Sequence, residues 1–232
     1  MQSIVNGRDL GGLSVRGGGR TRHDVLLRSD APYTGDTDPD HLNWPPATVV
    51  DLRDGAEAAK FAASWDQSVR VISNPVFSGA RPDRVVETSL VDLYATMLEN
   101  SASRITGALN SFDPDGTTLV HCAAGKDRTG VVIAIALLLA DVEPDEIIAD
   151  YQRTAEVIEH VYTRMSDRSR LPARIEVGHP MFRTPPEAIE SVLDRVSGSA
   201  GGAWRWVIDN GADEARLRSW ADRFGSGQDS SG

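Results

Sequence analysis

Cys122 and Arg128 are the two residues whose types and spacing point most directly to chemistry. Cys122 follows the predicted strand at 117–121, and Arg128 lies six residues later, at the start of a long apolar segment. A loop between a strand and a helix N-terminus can bind a tetrahedral oxyanion through its backbone N–H groups. The same groups stabilise a thiolate at the base of the loop. We therefore expect Cys122 to attack phosphorus while the guanidinium of Arg128 binds two phosphate oxygens.

The neighbours of this pair support the same chemistry. His121 is expected to orient the loop and to favour the thiolate. Thr129 is expected to donate a hydrogen bond to the sulfur, which makes sulfur a better leaving group when a phospho-cysteine is hydrolysed. Small side chains in the loop let backbone N–H groups approach a ligand closely. The predicted phosphate-binding residues are Ala123, Ala124, Gly125, Lys126, Asp127 and Arg128.

The elements that must position this loop alternate between strands and helices. We predict strands at 48–52, 69–73 and 117–121, and a hairpin or a pair of short edge strands within residues 1–30. Helices are predicted at 57–63, twice between 85 and 112, and at 129–140, 143–165, 184–196, 203–209 and 213–224. Thr184 and Glu187 are expected to form a capping box. This alternation predicts an α/β fold with a mainly parallel sheet and a helical C-terminal half.

The composition is typical of a globular protein with one core. The chain has 232 residues, 40% hydrophobic and 25% charged, which predicts one domain over residues 1–224 and a disordered tail at 225–232. A net charge of −10 argues against binding to nucleic acid or to an anionic membrane. Cys122 is the only cysteine, so neither an intrachain disulfide nor a cysteine zinc site can form. We expect no metal and no other cofactor.

No segment is apolar over the length needed to span a bilayer. The longest apolar run, Val131–Ala140, is about half of the ~20 residues required. The N-terminus lacks a basic region followed by an apolar stretch, so no signal peptide is expected. We predict a cytoplasmic protein without membrane insertion. Export by another route and the oligomeric state are left open.

The segment from His121 to Gly130 resembles the signature of a known enzyme family. His-Cys, five residues and Arg-Thr-Gly form the pattern of cysteine-dependent protein tyrosine phosphatases, including dual-specificity and phosphoinositide phosphatases. The fuller form His-Cys-Ala-Ala-Gly-Lys-Asp-Arg-Thr-Gly is similar to their bacterial atypical branch, typified by a mycobacterial enzyme. The resemblance implies a three-layer fold with helices on a mainly parallel central sheet. Further landmarks of that branch are Asn6–Gly12, Leu27–Ser29, Asp51–Arg53 with Glu57, Asp150-Tyr151, Trp204–Gly211 and Leu217–Phe224.

A proton donor is needed for the oxygen leaving group, more for an alcohol than for a phenol. The Trp-Pro-Asp tripeptide that supplies this acid in many tyrosine phosphatases is absent from the sequence. The resemblance instead implies Asp127, and a carboxylate that faces a phosphate dianion holds its proton more readily. Asp51 is the second candidate, because the C-terminal end of its strand should border the same crevice. Its alternative role is an ion pair with Arg53 or Arg128.

Further roles follow from the resemblance, each with a structural alternative. Lys126 would provide a second cation for a substrate with more than one phosphate, or only add to the positive field. Arg8 with Asp9, and Arg28, are expected in a buried ion network that positions the loop, with direct contact to the substrate as the alternative. The helices at 145–165 and 186–196 would form a lid, or join through a solvated basic linker. The arginines of that region are Arg164, Arg168, Arg170 and Arg174.

The sequence thus predicts a phosphatase that works through a phospho-cysteine intermediate. The leading substrate is phosphotyrosine on a protein, with phosphoserine, phosphothreonine and phosphoinositides as further candidates. A phosphatase for small molecules such as sugar, nucleotide or inositol phosphates is a second hypothesis. A phosphate-binding module without catalysis is a third, and it would be indifferent to loss of Cys122.

Overall fold

A mainly parallel sheet organises the protein. The computed structural model describes residues 3–60, 63–77, 89–169 and 182–227. β1 pairs antiparallel with β2, and every other pair of neighbouring strands is parallel. The order across the sheet is β1-β2-β5-β3-β4, which puts β5 in the middle. The strands are β1 (Arg8–Asp9), β2 (Leu26–Ser29), β3 (Thr48–Asp51), β4 (Arg70–Ser73) and β5 (Thr118–His121).

Helices flank this sheet and dominate the C-terminal half, which confirms the predicted α/β fold. α3 packs on β2 and β5, and α2, α4, α5 and α6 pack on α3. In the described ranges no helix is long and apolar enough to cross a bilayer. The helices are α1 (Gly55–Lys60), α2 (Leu90–Asn110), α3 (Asp127–Leu139), α4 (Pro144–Ser169), α5 (Pro186–Ser197), α6 (Gly202–Asp209) and α7 (Glu214–Gly225).

The helix α3 is the centre of the hydrophobic core. Every residue from Thr129 to Leu137 is buried, so the helix has no solvent-facing side there. Each fully buried Val, Ile or Leu side chain contributes about 1.5–3 kcal/mol. This burial fixes the helix behind the sheet, and its N-terminus therefore lies directly beyond the end of β5.

One predicted helix feature is confirmed and one is wrong. The two helices expected between 85 and 112 are present in the described residues as two helical segments, which meet at a kink at the buried Ser101 (φ −134°, ψ 17°) and together form α2. Thr184 does not cap α5, because its hydroxyl donates to the backbone oxygen of Gln152 on α4, at 3.4 Å. The helix instead begins with Pro186, whose missing N–H needs no partner in the first turn.

The predicted tail starts too early. Gly225 is the last residue of α7, and Gly227 forms a bridge with Arg20 near the N-terminus. Residues 228–232 lie outside the described ranges. The N-terminal prediction of short paired strands is confirmed by β1 and by an antiparallel bridge between Ser14 and Arg20.

Candidate active site

The segment 122–128 connects the middle of the sheet to the buried helix. Cys122 follows β5 directly and is 3% exposed. Arg128 is the second residue of α3, so both predicted catalytic groups lie at the C-terminal edge of the parallel strands. This is the edge at which open α/β sheets bind ligands. We call residues 122–128 the phosphate loop.

The carbonyl oxygens of the phosphate loop bind the surrounding protein, whereas its N–H groups do not. Ala123 O accepts from the backbone N–H of Ala31 at 3.0 Å. Asn6 Nδ2 donates to the carbonyls of Ala124 and Gly125 at 3.0 and 3.3 Å. In the described part of the chain, no backbone N–H of residues 123–128 donates to another protein group. These N–H groups, at a helix N-terminus, are left for an anion.

Gly125 is required by the path of the phosphate loop. Its φ is +67°, and a Cβ at this position would lie 2.3 Å from the backbone oxygen of Ser29. Its carbonyl also accepts a hydrogen bond from Arg28 Nη2 at 2.7 Å. A side chain at this position would therefore push the loop away from β2 and from the groups that hold it.

Arg128 is oriented by Glu57 of α1. Its two terminal nitrogens donate to the two carboxylate oxygens, Nη1 to Oε2 at 2.6 Å and Nη2 to Oε1 at 2.9 Å. Burial alone would lower the pKa of Arg128, but its hydrogen bonds to Glu57 and the charge of Cys122 raise it above its ordinary value. The guanidinium is thus permanently charged and held in one plane.

A buried ion network supports the phosphate loop from below. Asp150 of α4 accepts from Arg8 Nε at 2.6 Å and from Arg28 Nη1 at 2.5 Å. Burial and the nearby Arg28 lower the pKa of Arg8 to about 10. The predicted network of Arg8 and Arg28 is confirmed. Asp9 does not belong to it, because its carboxylate pairs with the exposed His23 at 3.0 Å.

Replacing Asp150 with asparagine is expected to destabilise the protein by about 3–5 kcal/mol, because it leaves two buried arginines without their anion. Burial alone would raise the pKa of Asp150, but the charges of Arg28 and Arg8 lower it below its ordinary 3.8. Such a carboxylate stabilises the fold above its unfolded pKa, and this stability is lost as pH falls through the folded value. In urea unfolding, the free energy of unfolding of Asp150→Asn should therefore lie below that of the wild type by the full amount at neutral pH. The difference should be smaller below about pH 4.

The matched control is Glu143→Gln, which removes an exposed carboxylate 3.7 Å from Arg16. We expect a change within about 0.5 kcal/mol there. If the free energy of unfolding fell no more in Asp150→Asn than in this control, the supporting role of the network would be contradicted.

Asp127 and Lys126 form a contact pair at the rim of the phosphate loop. Lys126 Nζ lies 2.5 Å from Asp127 Oδ1, although the lysine side chain itself is 1% exposed. The hydroxyl of Tyr94, on α2, donates to the same oxygen at 2.7 Å. The Asp127 side chain is 30% exposed, so it contacts both solvent and the interior.

Asp51 is paired with Arg53. Arg53 Nη2 donates to Asp51 Oδ2 at 2.7 Å and Nε to Oδ1 at 2.9 Å, which is the predicted alternative to an acid role. Burial alone would raise the pKa of Asp51, but His121 and Arg53 lower it below its ordinary value. Asp51 is thus held as a carboxylate.

His121 contacts the phosphate loop in the structure, whereas Thr129 does not make its predicted hydrogen bond. His121 is 2% exposed, and burial lowers its pKa even though Asp51 lies nearby. With its proton on Nδ1, His121 donates to the carbonyl of Cys122 at 3.1 Å, as expected of a residue that orients the loop. Thr129 does not make the predicted bond to sulfur. Its Oγ1 is buried in the first turn of α3 without a hydrogen-bond partner in the described ranges.

Arg164 is a buried structural residue and not part of a solvated linker. It pairs with Asp30 and Asp36, donates to the carbonyl of Ala31 at 2.8 Å and lies over the ring of Tyr33. Ala31 in turn bonds the phosphate loop, so α4 is tied to the loop through this residue. The side chain of Arg168 and residues Arg170 and Arg174 lie outside the described part of the structure.

The structure brings together most of the predicted site. The phosphate loop contains Cys122, Lys126, Asp127 and Arg128, and Asp51 lies at the end of the neighbouring strand β3. Sequence reasoning did not identify Tyr94, because its spacing along α2 is that of a core residue. It included Glu57 only as a landmark, and a carboxylate near a predicted helix start is no signal for an arginine 71 residues away.

Comparison with known proteins finds similarity to tyrosine phosphatases. A family model described as the tyrosine phosphatase family matches residues 1–225. A Cupriavidus necator protein whose name places it among tyrosine-protein phosphatases is 27% identical over 235 residues, 93% of this chain and 85% of that protein. The triple specificity protein phosphatase PtpB of Mycobacterium tuberculosis is 43% identical over 49 residues, 21% of this chain and 18% of that protein. A tyrosine-protein phosphatase of Nostoc commune is 29% identical over 119 residues, 48% of this chain and 40% of that protein.

Proposed function

Because the chain belongs to the tyrosine phosphatase family, we propose that it hydrolyses phosphate monoesters through a phospho-cysteine formed on Cys122. One observation carries this proposal. In the part of the chain that the structure describes, the N–H groups of the phosphate loop between Cys122 and Arg128 have no protein partner, and Glu57 orients the Arg128 guanidinium. A thiolate, a set of N–H donors and a planar fork are the groups that transfer of a phosphoryl group requires.

The reaction has two steps. In the first, the thiolate of Cys122 forms the S–P bond, the ester P–O bond breaks, and Asp127 gives its proton to the leaving oxygen. In the second, water attacks phosphorus, Asp127 takes up a proton from that water, and the S–P bond breaks to return the thiolate and inorganic phosphate. Arg128 and the loop N–H groups bind the three remaining phosphoryl oxygens in both steps.

Asp127 is the better candidate for the acid. Its side chain lies in the phosphate loop and is 30% exposed. Asp51 is committed to Arg53, and its lowered pKa leaves it without a proton at neutral pH. We therefore assign proton transfer to Asp127 and the positioning of Arg53 and His121 to Asp51.

An aromatic pair near the phosphate loop supports an aryl phosphate as substrate. Tyr162 of α4 packs edge-on against Phe182, with ring centroids 4.2 Å apart. The carbonyl of the next residue, Arg183, accepts from Lys126 Nζ at 3.4 Å, which ties this segment to the loop. Burial and the charges of Asp127 and Cys122 raise the pKa of Tyr162, so its phenol stays protonated at neutral pH. A phenyl ring bound through its phosphate would pack against this pair.

We accordingly propose phosphotyrosine on a protein as the main substrate. Phosphoserine, phosphothreonine and phosphoinositides are further candidates. For these, the buried Lys126, which is paired with Asp127, would only add to the positive field of the loop. The name of the mycobacterial relative, a triple specificity protein phosphatase, agrees with such breadth. A panel of phosphopeptides, phosphoinositides and soluble sugar and nucleotide phosphates compares these with the small-molecule hypothesis. Nucleic acid is not a proposed partner, and a cytoplasmic location stays a prediction.

Replacing Asp127 with asparagine tests the acid assignment. We expect kcat/KM for phenyl phosphate to fall by about 10²-fold, because the phenolate leaves without a proton. For p-nitrophenyl phosphate, whose leaving group is far more acidic, the fall should stay below about tenfold. The quantity kcat/KM is chosen because it reports the steps up to cleavage of the P–O bond.

The comparison variant is Asp51→Asn, which breaks the pair with Arg53. It should lower kcat/KM by the same factor for both substrates. Equal losses on both substrates in Asp127→Asn would move the acid role to Asp51 or leave Asp127 only a structural role in the loop.

A further inference from the structure

Tyr94 contacts the proposed acid from the interior of the protein. The residue lies on α2, is fully buried, and donates its hydroxyl to Asp127 Oδ1 at 2.7 Å. Its hydroxyl also lies 2.8 Å from that of Tyr151 on α4. Since Tyr94 has one proton and directs it to Asp127, Tyr151 must donate to Tyr94. A chain of hydrogen bonds therefore runs from α4 through α2 to Asp127.

Both donors to the Asp127 carboxyl group bind the same oxygen. Lys126 Nζ lies 2.5 Å from Oδ1, and Tyr94 Oη lies 2.7 Å from it. Within the described ranges, no donor is within hydrogen-bond distance of Oδ2. A proton on Oδ1 would have to displace one of these donors, whereas a proton on Oδ2 displaces none.

The tyrosine is fixed as a donor. Burial and the charge of Asp127 raise the pKa of Tyr94, so its hydroxyl keeps its proton at neutral pH. The ring of Tyr94 packs edge-on against that of Tyr151, with centroids 6.2 Å apart, which restricts its rotation. By contrast, the Lys126 ammonium is at the end of a flexible four-carbon chain.

We infer that Tyr94 is a positioning residue, whose hydroxyl occupies Asp127 Oδ1 so that the transferable proton is carried on Oδ2. In the first step the proton leaves Oδ2 for the ester oxygen, and the new carboxylate is stabilised through Oδ1. In the second step Oδ2 takes the proton of the attacking water. This inference rests on the proposed acid role of Asp127.

Tyr94→Phe removes the hydroxyl and keeps the ring in the core. We expect kcat/KM for phenyl phosphate to fall about tenfold, since general acid catalysis is worth ~10²–10⁴-fold and Lys126 still holds the carboxyl group. For p-nitrophenyl phosphate the change should be less than about twofold. In an Asp127→Asn background, Tyr94→Phe should cause no further loss, because the two residues act through one proton.

The matched control is Tyr33→Phe, which removes the hydroxyl of another buried tyrosine, one that contacts Arg164 and not Asp127. It should leave the ratio of kcat/KM for phenyl phosphate to kcat/KM for p-nitrophenyl phosphate unchanged. If Tyr94 had only a structural role, Tyr94→Phe would lower kcat/KM equally for both substrates, or its loss would add fully to that of Asp127→Asn in the double variant. Either result would overturn the inference. If Asp127→Asn itself shows no dependence on the leaving group, the proposed acid fails; if it does and Tyr94→Phe does not, only the role of Tyr94 fails.

Discussion

Cys122→Ser is expected to lower the kcat for p-nitrophenyl phosphate by at least ~10³-fold. A serine hydroxyl is un-ionised at neutral pH, and the N–H groups that stabilise a thiolate cannot make it a comparable nucleophile. The fold should be unchanged, because sulfur is replaced by a slightly smaller atom at a site that is 3% exposed. Steady-state kinetics together with a thermal melt measures both quantities.

Binding of phosphate to Cys122→Ser distinguishes the remaining hypotheses. The loop N–H groups and Arg128 are retained, so inorganic phosphate should still bind and protect against thermal unfolding. A phosphate-binding module would behave identically in the wild type and the variant, with no turnover in either. Turnover in Cys122→Ser above a few per cent of wild type would contradict covalent catalysis by this residue.

Arg128→Lys is expected to reduce kcat by about 10²–10³-fold although it keeps the positive charge. Lysine offers a single ammonium in place of the planar fork that Glu57 holds with bonds of 2.6 and 2.9 Å. It cannot bind two phosphoryl oxygens as they move toward the trigonal arrangement of the transition state. Kinetics with p-nitrophenyl phosphate, whose leaving group needs little help, isolates this contribution from proton transfer.

The matched control for Arg128→Lys is Arg16→Lys, on an exposed side chain that lies 3.7 Å from Glu143. It should leave kcat within about 1.5-fold of wild type. Lysine is also charged below its ordinary pKa of about 10.4, so the variant should lose rate at neutral pH as well as at high pH. A kcat within threefold of wild type would mean that charge alone, and not the geometry of the fork, stabilises the transition state.

The chemistry of the phosphate loop could be predicted because it is local in sequence. Cys122 and Arg128 are six residues apart, and the apolar run after them requires a buried helix whose N-terminus meets the loop. A small residue could be predicted at Gly125. The reason for it is that the backbone of Ser29, on a strand distant in sequence but adjacent in the sheet, leaves no room for a Cβ. Local pattern thus identifies the loop, and tertiary contacts explain its composition.

The network that holds the loop could not be predicted in detail. Arg8 and Asp150 are separated by 142 residues, and Arg28 and Asp150 by 122. Their pairing depends on how α4 packs against the sheet, which charge patterning does not determine. The same limit explains the wrong capping box, because Thr184 fits the local rule but has a partner on α4. Tyr94 was hidden for a further reason, since one side chain is both a core residue and a donor to Asp127.

Trapping the phospho-cysteine is the most direct test of the mechanism. In Asp127→Asn the p-nitrophenolate can leave without an acid, but the water of the second step has no base, so the intermediate should accumulate. Acid quenching during turnover, followed by mass spectrometry of the peptide that contains Cys122, should find one phosphoryl group on that cysteine and none in Cys122→Ser. An unmodified Cys122 peptide in protein that has released a stoichiometric burst of p-nitrophenol, or a phosphoryl group on any other residue, would contradict the account.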